Sequence, residues 1–207
     1  MYTVSMLQKL IRLILSLFTY RPKPTPQPLP QATPTFTLCL EDEQKLTELY
    51  PPFAAIVRQL ITKAHEQGME VRIFEGLRTM GRQKELYAEG RDETGNVVDR
   101  SKVVTDAPPG HSAHQYGAAV DLVFSSAASG QPWQWSWAPS HPWKQLAELS
   151  KSLGLDAGYL WVKFPDIPHS EFLYGFLCEN LLPIYNQGGM AAVWKKFDES
   201  QKKPQSV

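Results

Sequence analysis

The sequence predicts an α+β domain with a small, mainly antiparallel sheet and flanking helices. Apolar residues recur at helical spacing in separate stretches, and short alternating runs lie between them. No regular strand–helix–strand repeat links these pieces, which speaks against a doubly wound parallel sheet. In chain order, Phe53, Ile56, Val57, Leu60, Ile61 and Ala64 repeat at three and four residues, and Gly68 follows where a helix C-terminus favours glycine. Val71 and Ile73 alternate with Arg72 and Phe74 as in a half-buried strand, and Gly76 to Thr79 turns into a second helix, Gly81 to Glu89, closed by Gly90. Residues 91–111 are polar, contain Gly and Pro, and read as a long loop. Ala118 to Phe124 form a mostly apolar strand interrupted by Asp121, a charge that needs a partner there. Trp143, Leu146, Leu149 and Leu153, with Pro142 in the first turn and Gly154 at the end, mark another helix. Gly188 to Trp194 opens a short C-terminal helix expected to pack on the domain.

Length and charge bound the function. With 207 residues and 43% hydrophobic content, one compact domain plus appendages is expected. Lys+Arg and Asp+Glu both number 21, so the formal charge is +0 and no basic face for nucleic acid is implied. A monomer is expected. Only Cys39 and Cys178 are present, which excludes a disulfide-stapled mini-fold and a four-cysteine zinc cluster, and two buried thiols are expected.

Residues 1–20 form an amphipathic or signal-anchor-like segment. Lys9 and Arg12 precede a short apolar run, while Leu7, Leu10, Ile11, Ile14, Leu15 and Phe18 fall on one helical face. The run is too short for a spanning helix of about 20 residues. Tyr20 and Arg21 stand where a signal peptide would carry small residues, so cleavage is not expected. An anchor lying in a membrane surface and a frayed helix without function both remain open. Residues 21–34 are a Pro-rich linker, which leaves 35–207 as the folded domain.

The chemistry concentrates in two segments, Gly110 to Asp121 and Trp161 to His169, each holding imidazole and carboxylate. Zinc accepts His nitrogen and carboxylate oxygen, and catalytic sites use three protein ligands so that water takes the fourth position. His114, Asp121 and His169 meet that count. On spacing alone, a neighbouring His and Asp such as His114 and Asp121 are more often a hydrogen-bonded structural pair than ligands.

The whole arrangement narrows the choice. Ser112, His114, Gly117, Ala119 and Asp121 in one motif, preceded by Gly76, Arg78 and Gln83 and followed by Asp166 and His169, resemble the D-alanyl-D-alanine carboxypeptidase and L-alanyl-D-glutamate endopeptidase family. This M15-type group of zinc peptidases includes phage endolysins, and the resemblance covers residues 45–175. It implies a hedgehog/D-Ala-D-Ala peptidase-like fold and one Zn²⁺ per chain, held by His114, Asp121 and His169. It further implies Asp166 as the catalytic base, Arg78 as an oxyanion stabiliser, and Ser112, Gln83 and Trp161 as supporting or substrate-side residues. The stretch from Leu86 to Arg91 looks most like the endopeptidase branch. One departure stands out: relatives place an aromatic residue directly after the last histidine, whereas Ser170 and Glu171 precede Phe172 here.

The resemblance therefore implies a zinc peptidase of the cell envelope or extracellular space acting on peptidoglycan stem peptides, a phage lysis protein included. D-alanyl-D-alanine carboxypeptidase action and a non-catalytic zinc-containing module that binds peptidoglycan are the alternatives. Outside the motifs, His111 reads as exposed or supporting, and His65 and His141 as helix-surface and helix-start residues. Trp133, Trp135, Trp137 and Trp143 read either as a stacking surface for sugar or peptide or as a patch closing the core. Lys195, Lys196, Lys202 and Lys203 form a solvated basic tail.

Overall fold

The computed structural model describes residues 36–126 and 132–202. The expected anchor, the Pro-rich linker and Lys203 lie outside the described residues. Helix α1 (Leu40–Thr47) and helix α2 (Pro51–Glu66) lead into strand β1 (Val71–Glu75) and helix α3 (Met80–Ala88). A short 3-10 turn (Ala113–Tyr116) precedes β2 (Ala119–Ser125). Then follow β3 (Trp135–Ser136), α4 (Trp143–Ser152), β4 (Asp156–Ala157), β5 (His169–Glu171) and α5 (Cys178–Gln201). Apart from the C-terminal helix, the expected helices and the two main strands are found within a residue or two of their anticipated limits.

Local chemistry explains the boundaries. Pro51 and Pro52 open α2, where a missing N–H costs nothing, and Thr79 caps α3 by accepting from Arg82 N at 3.0 Å. The C-terminal helix is the main correction. It begins at Cys178, ten residues before Gly188, and Gly189 (φ 62°) kinks it instead of opening it. Its apolar positions are scattered around the kink and Pro183, so no clean period betrays it. The sequence reading also passed over α1 and the short strands β3, β4 and β5.

All strand pairs are antiparallel, in the order β1-β2-β5-β4, with β3 pairing the far end of β2 at Phe124 and Ser125. The outer edge of β1 is covered by α1: the buried Asp42 carboxylate accepts from Ile73 N at 3.1 Å, and Lys45 Nζ donates to Ile73 O at 2.6 Å. That edge is thereby closed to another strand. One sheet face buries Val71, Ile73, Val120, Leu122 and Phe124 against Phe53, Val57, Leu60 and Ile61 of α2. Each such side chain contributes roughly 1.5–3 kcal/mol by leaving water. Leu181, Val193 and Phe197 of α5 close the core against Tyr50 and Tyr174. Both cysteines are free; Cys178 is buried and Cys39 half-buried.

Candidate metal centre and active-site cleft

Strand alternation decides which residues meet. With Val120, Leu122 and Phe124 pointing into the core, Asp121 and Val123 point to the other face. The register sets Asp121 opposite His169 on β5 and opposite Glu75 on β1, where a bulge lies between Ile73 and Glu75. His169 and Glu171, two apart, share that face, while Ser170 turns inward to a buried hydrogen bond with Ser150 at 2.8 Å. His114 arrives from the 3-10 turn. Gly117 ends that turn at φ 66°, and a Cβ there would lie 3.1 Å from Tyr50 N. Arg78 N donates to His114 O at 3.1 Å, tying the turn to the segment after β1.

Three acceptor atoms converge at this point. Asp121 Oδ1 lies 3.3 Å from His114 Nε2 and 3.2 Å from His169 Nδ1, and the two ring nitrogens are 3.2 Å apart. Each ring's other nitrogen is committed elsewhere: His114 Nδ1–H donates to Gly76 O at 2.7 Å, and His169 Nε2–H to Glu171 Oε2 at 2.9 Å. Those outward partners can only accept, so they fix both tautomers with lone pairs facing inward. Three lone pairs at this separation repel unless a positive charge sits among them. Ligands about 2.0–2.1 Å from a tetrahedral zinc stand about 3.3–3.4 Å from one another, so the observed triangle fits such an ion without rearrangement.

The electrostatics agree. Burial pushes Asp121 up, but His114 and His169 override it and hold the carboxyl far below its ordinary range. Burial alone would lower His169, yet Asp121 and Glu171 raise it well above its ordinary 6.5. Cross-strand Glu75 and Asp121 would repel, and Arg78 lies between them. Its Nε donates to Glu75 Oε2 at 2.9 Å, Nη2 also bonds Glu75 and approaches Asp121 Oδ2 at 3.4 Å, and Nη1 donates to the buried Gln83 at 2.9 Å. Of the five guanidinium donors, one Nη1–H stays uncommitted. Gln83 is held in turn by donating to Ala107 O at 2.7 Å.

Asp166 stands apart from this network and faces the same cleft. Its carboxylate makes no hydrogen bond or ion pair with another described residue. Asp166 is exposed to solvent at the cleft, yet the protein on its inner side still pushes its pKa up, with Asp121 adding to the rise and His169, His114 and Arg78 opposing it. Asp166 N donates to Gly158 O at 3.0 Å, and a Cβ at Gly158 would stand 2.4 Å from Asp166 O and 3.1 Å from His169 Cβ. Only glycine lets this segment lie so close. Trp161 tilts against His169 at 5.3 Å and donates from Nε1 to Asp156 at 2.7 Å. Ser112 lines the cleft, which opens over the cluster with a volume of about 1020 Å³. His111 stays outside the cluster, 3.8 Å from Glu179. His65 stacks on Phe36, and His141 on Phe124.

Sequence reasoning missed Glu75, Glu171 and Gly158. Glu171 had a legible signal, since a strand places residues two apart on one face and His169 was already a candidate. The signals for Glu75 and Gly158 are the β1–β2 register and a through-space contact, neither of which spacing reveals.

An antiparallel sheet thus brings two imidazoles and a carboxylate, a group that could hold one metal ion, to the foot of an open cleft with a further carboxylate beside them. Comparison with known proteins gives the family. The model of the VanY family, D-alanyl-D-alanine carboxypeptidase, matches residues 47–164, more than half of the chain. The peptidoglycan L-alanyl-D-glutamate endopeptidase CwlK of Bacillus subtilis is 31% identical over 138 residues, covering 65% of this chain and 79% of that protein. The L-alanyl-D-glutamate peptidase of Listeria phage A118 is 30% identical over 120 residues, covering 58% of this chain and 36% of that protein. The crystal structure of the Serratia marcescens L-Ala D-Glu endopeptidase ChiX shares 22% identity at a TM-score of 0.47, over 68% of this chain and 92% of that one. The chain belongs to the VanY family and is a peptidase of that family.

Proposed function

We propose that this protein is a zinc-dependent endopeptidase cutting the L-alanyl-D-glutamate bond of peptidoglycan stem peptides, with His114, Asp121 and His169 as ligands and Asp166 as base. The observation that carries the reading is the convergence of three inward lone pairs beside an unpaired carboxylate. The choice of bond is supported by the identity to the Bacillus enzyme over most of its length. When bound, zinc supplies an acidified water, with a pKa near 7, and a Lewis acid for the scissile carbonyl.

The chain's own residues do the rest. Asp166, raised above an ordinary carboxylate and free of partners, accepts the proton of the attacking water and returns it to the leaving amine. Arg78 offers its remaining Nη1–H and its charge to the developing oxyanion while holding Asp121 in place. Glu171 and Gly76 O fix the two imidazoles so that no reorientation is needed before the ligands engage. A binding module without turnover would need no unpaired carboxylate in the cleft, which favours the enzyme.

Glu171→Ala is expected to weaken zinc binding by about 10–100-fold, the usual effect of removing an outer partner of a ligating His. Titration against a competing chelator measures it, and unaltered affinity contradicts the role.

Zinc binding is also expected to release about one proton near pH 7, because it displaces the proton on His169. The sign follows from a folded pKa above the unfolded 6.5. In metal-free protein His169 stabilises the fold below about pH 6.5, and this contribution is lost as pH rises through the raised value. Calorimetry in buffers of different ionisation heat counts the proton, and a buffer-independent heat contradicts the assignment.

The bond cut is tested by end-group analysis of digested peptidoglycan. New amino termini on D-Glu are expected. Free D-Ala instead moves the chain to carboxypeptidase action.

A further inference from the structure

The sheet face that carries Asp121 continues, away from the metal cluster, into an exposed aromatic shelf. Arg72 pairs with Val123 across β1 and β2, and Trp135 pairs with Ser125 across β2 and β3, so both side chains share the face of Asp121. Val123 is fully buried beneath them, yet Phe74, Trp135 and Trp137 remain 46%, 42% and 45% exposed. These rings are one assembly. The Phe74 ring meets Trp137 at 5.0 Å and Trp135 at 5.8 Å, both edge-on. Trp137 lies parallel to the buried Trp143 with ring centroids 6.2 Å apart, and nearly half of its surface is exposed. Lys45 and Arg72 stand 5.6 and 5.8 Å from the Trp135 ring centroid and help hold it in place.

A cluster of exposed aromatic rings on one face is a candidate binding surface. It is continuous with the cleft, because Phe74 and Trp137 line the cleft together with His114, Asp121 and His169. We propose that this shelf is a sugar subsite that stacks an N-acetylated amino sugar of the glycan strand from which the stem peptide hangs. The proposal rests on the peptidase reading above. In peptidoglycan, L-Ala is joined through its amine to the lactyl group of the muramic sugar, so the L-Ala-D-Glu bond is one residue from the glycan. A catalytic centre that cuts there has a sugar next to it, and the apolar face of a pyranose can pack on exposed aromatic rings such as these.

The test compares two substrates on the full chain: the disaccharide-bearing stem tetrapeptide and the same tetrapeptide without sugar. Wild type is expected to favour the sugar-bearing form in kcat/KM by about tenfold, the scale of one or two aromatic contacts. The Trp135→Ala/Trp137→Ala variant is expected to lose most of this ratio. Trp135→Ala alone, which leaves the Trp137–Trp143 stack intact, is expected to reduce it partly, so the test survives if the double variant folds poorly. Equal ratios in wild type and Trp135→Ala, or no preference in wild type, overturn the subsite. Tryptophan fluorescence titration of both ligands on Asp166→Asn protein separates the two claims. If wild type cleaves neither substrate, the peptidase reading falls, while tighter binding of the sugar-bearing ligand still supports the shelf and equal binding overturns it.

Discussion

Replacing His114 or His169 with alanine is expected to abolish both zinc binding and hydrolysis. Each histidine supplies one corner of a triangle with 3.2–3.3 Å sides, and no other described imidazole is placed to substitute. A loss larger than the about 10²–10⁴-fold of a single acid–base group is expected. The reason is that one substitution removes water activation and carbonyl polarisation together. The metal-free variants should still fold, because Asp121 keeps its contact with Arg78 and the core lies on the opposite sheet face. Metal analysis with assay of purified variants decides it. Stoichiometric zinc in both single variants contradicts the ligand set.

Asp166→Asn is expected to separate chemistry from metal binding. The carboxylate lies outside the ligand triangle and has no hydrogen bond to lose, so zinc content and melting temperature should stay near wild type. Activity should fall by about 10²–10⁴-fold because the isosteric amide cannot accept the proton. An equal loss of zinc would make Asp166 a ligand, and full activity would remove it from the mechanism. Arg78 does not offer so clean a test. Its side chain also neutralises Glu75 beside Asp121, so Arg78→Ala would disturb the ligands as well as the oxyanion.

The candidate site was legible in the sequence mainly through the resemblance of its separated motifs to one peptidase family, with local rules adding support. The apolar run around Asp121 demanded a partner for its charge, and Gly117 marked the turn that brings His114 to the strand. What stayed hidden is set by register and long-range packing. Glu75 meets Asp121 only because of a bulge, and Gly158 matters only because the chain near Asp166 returns against it. The length of α5 was hidden too, since its kink and Pro183 break the period that a sequence reading relies on. The motif departure at Ser170 and Glu171 proves informative. Ser170 anchors β5 to α4 through Ser150, and Glu171 holds the His169 ring.

One zinc ion is expected to sit among His114, Asp121 and His169. A crystal of the zinc-loaded protein, measured on both sides of the zinc absorption edge, tests this most directly. The predicted result is a single anomalous peak about 2.0–2.2 Å from His114 Nε2, His169 Nδ1 and Asp121 Oδ1, with its fourth side open to the cleft. A peak bound by other residues, or no peak where the three lone pairs meet, would contradict it.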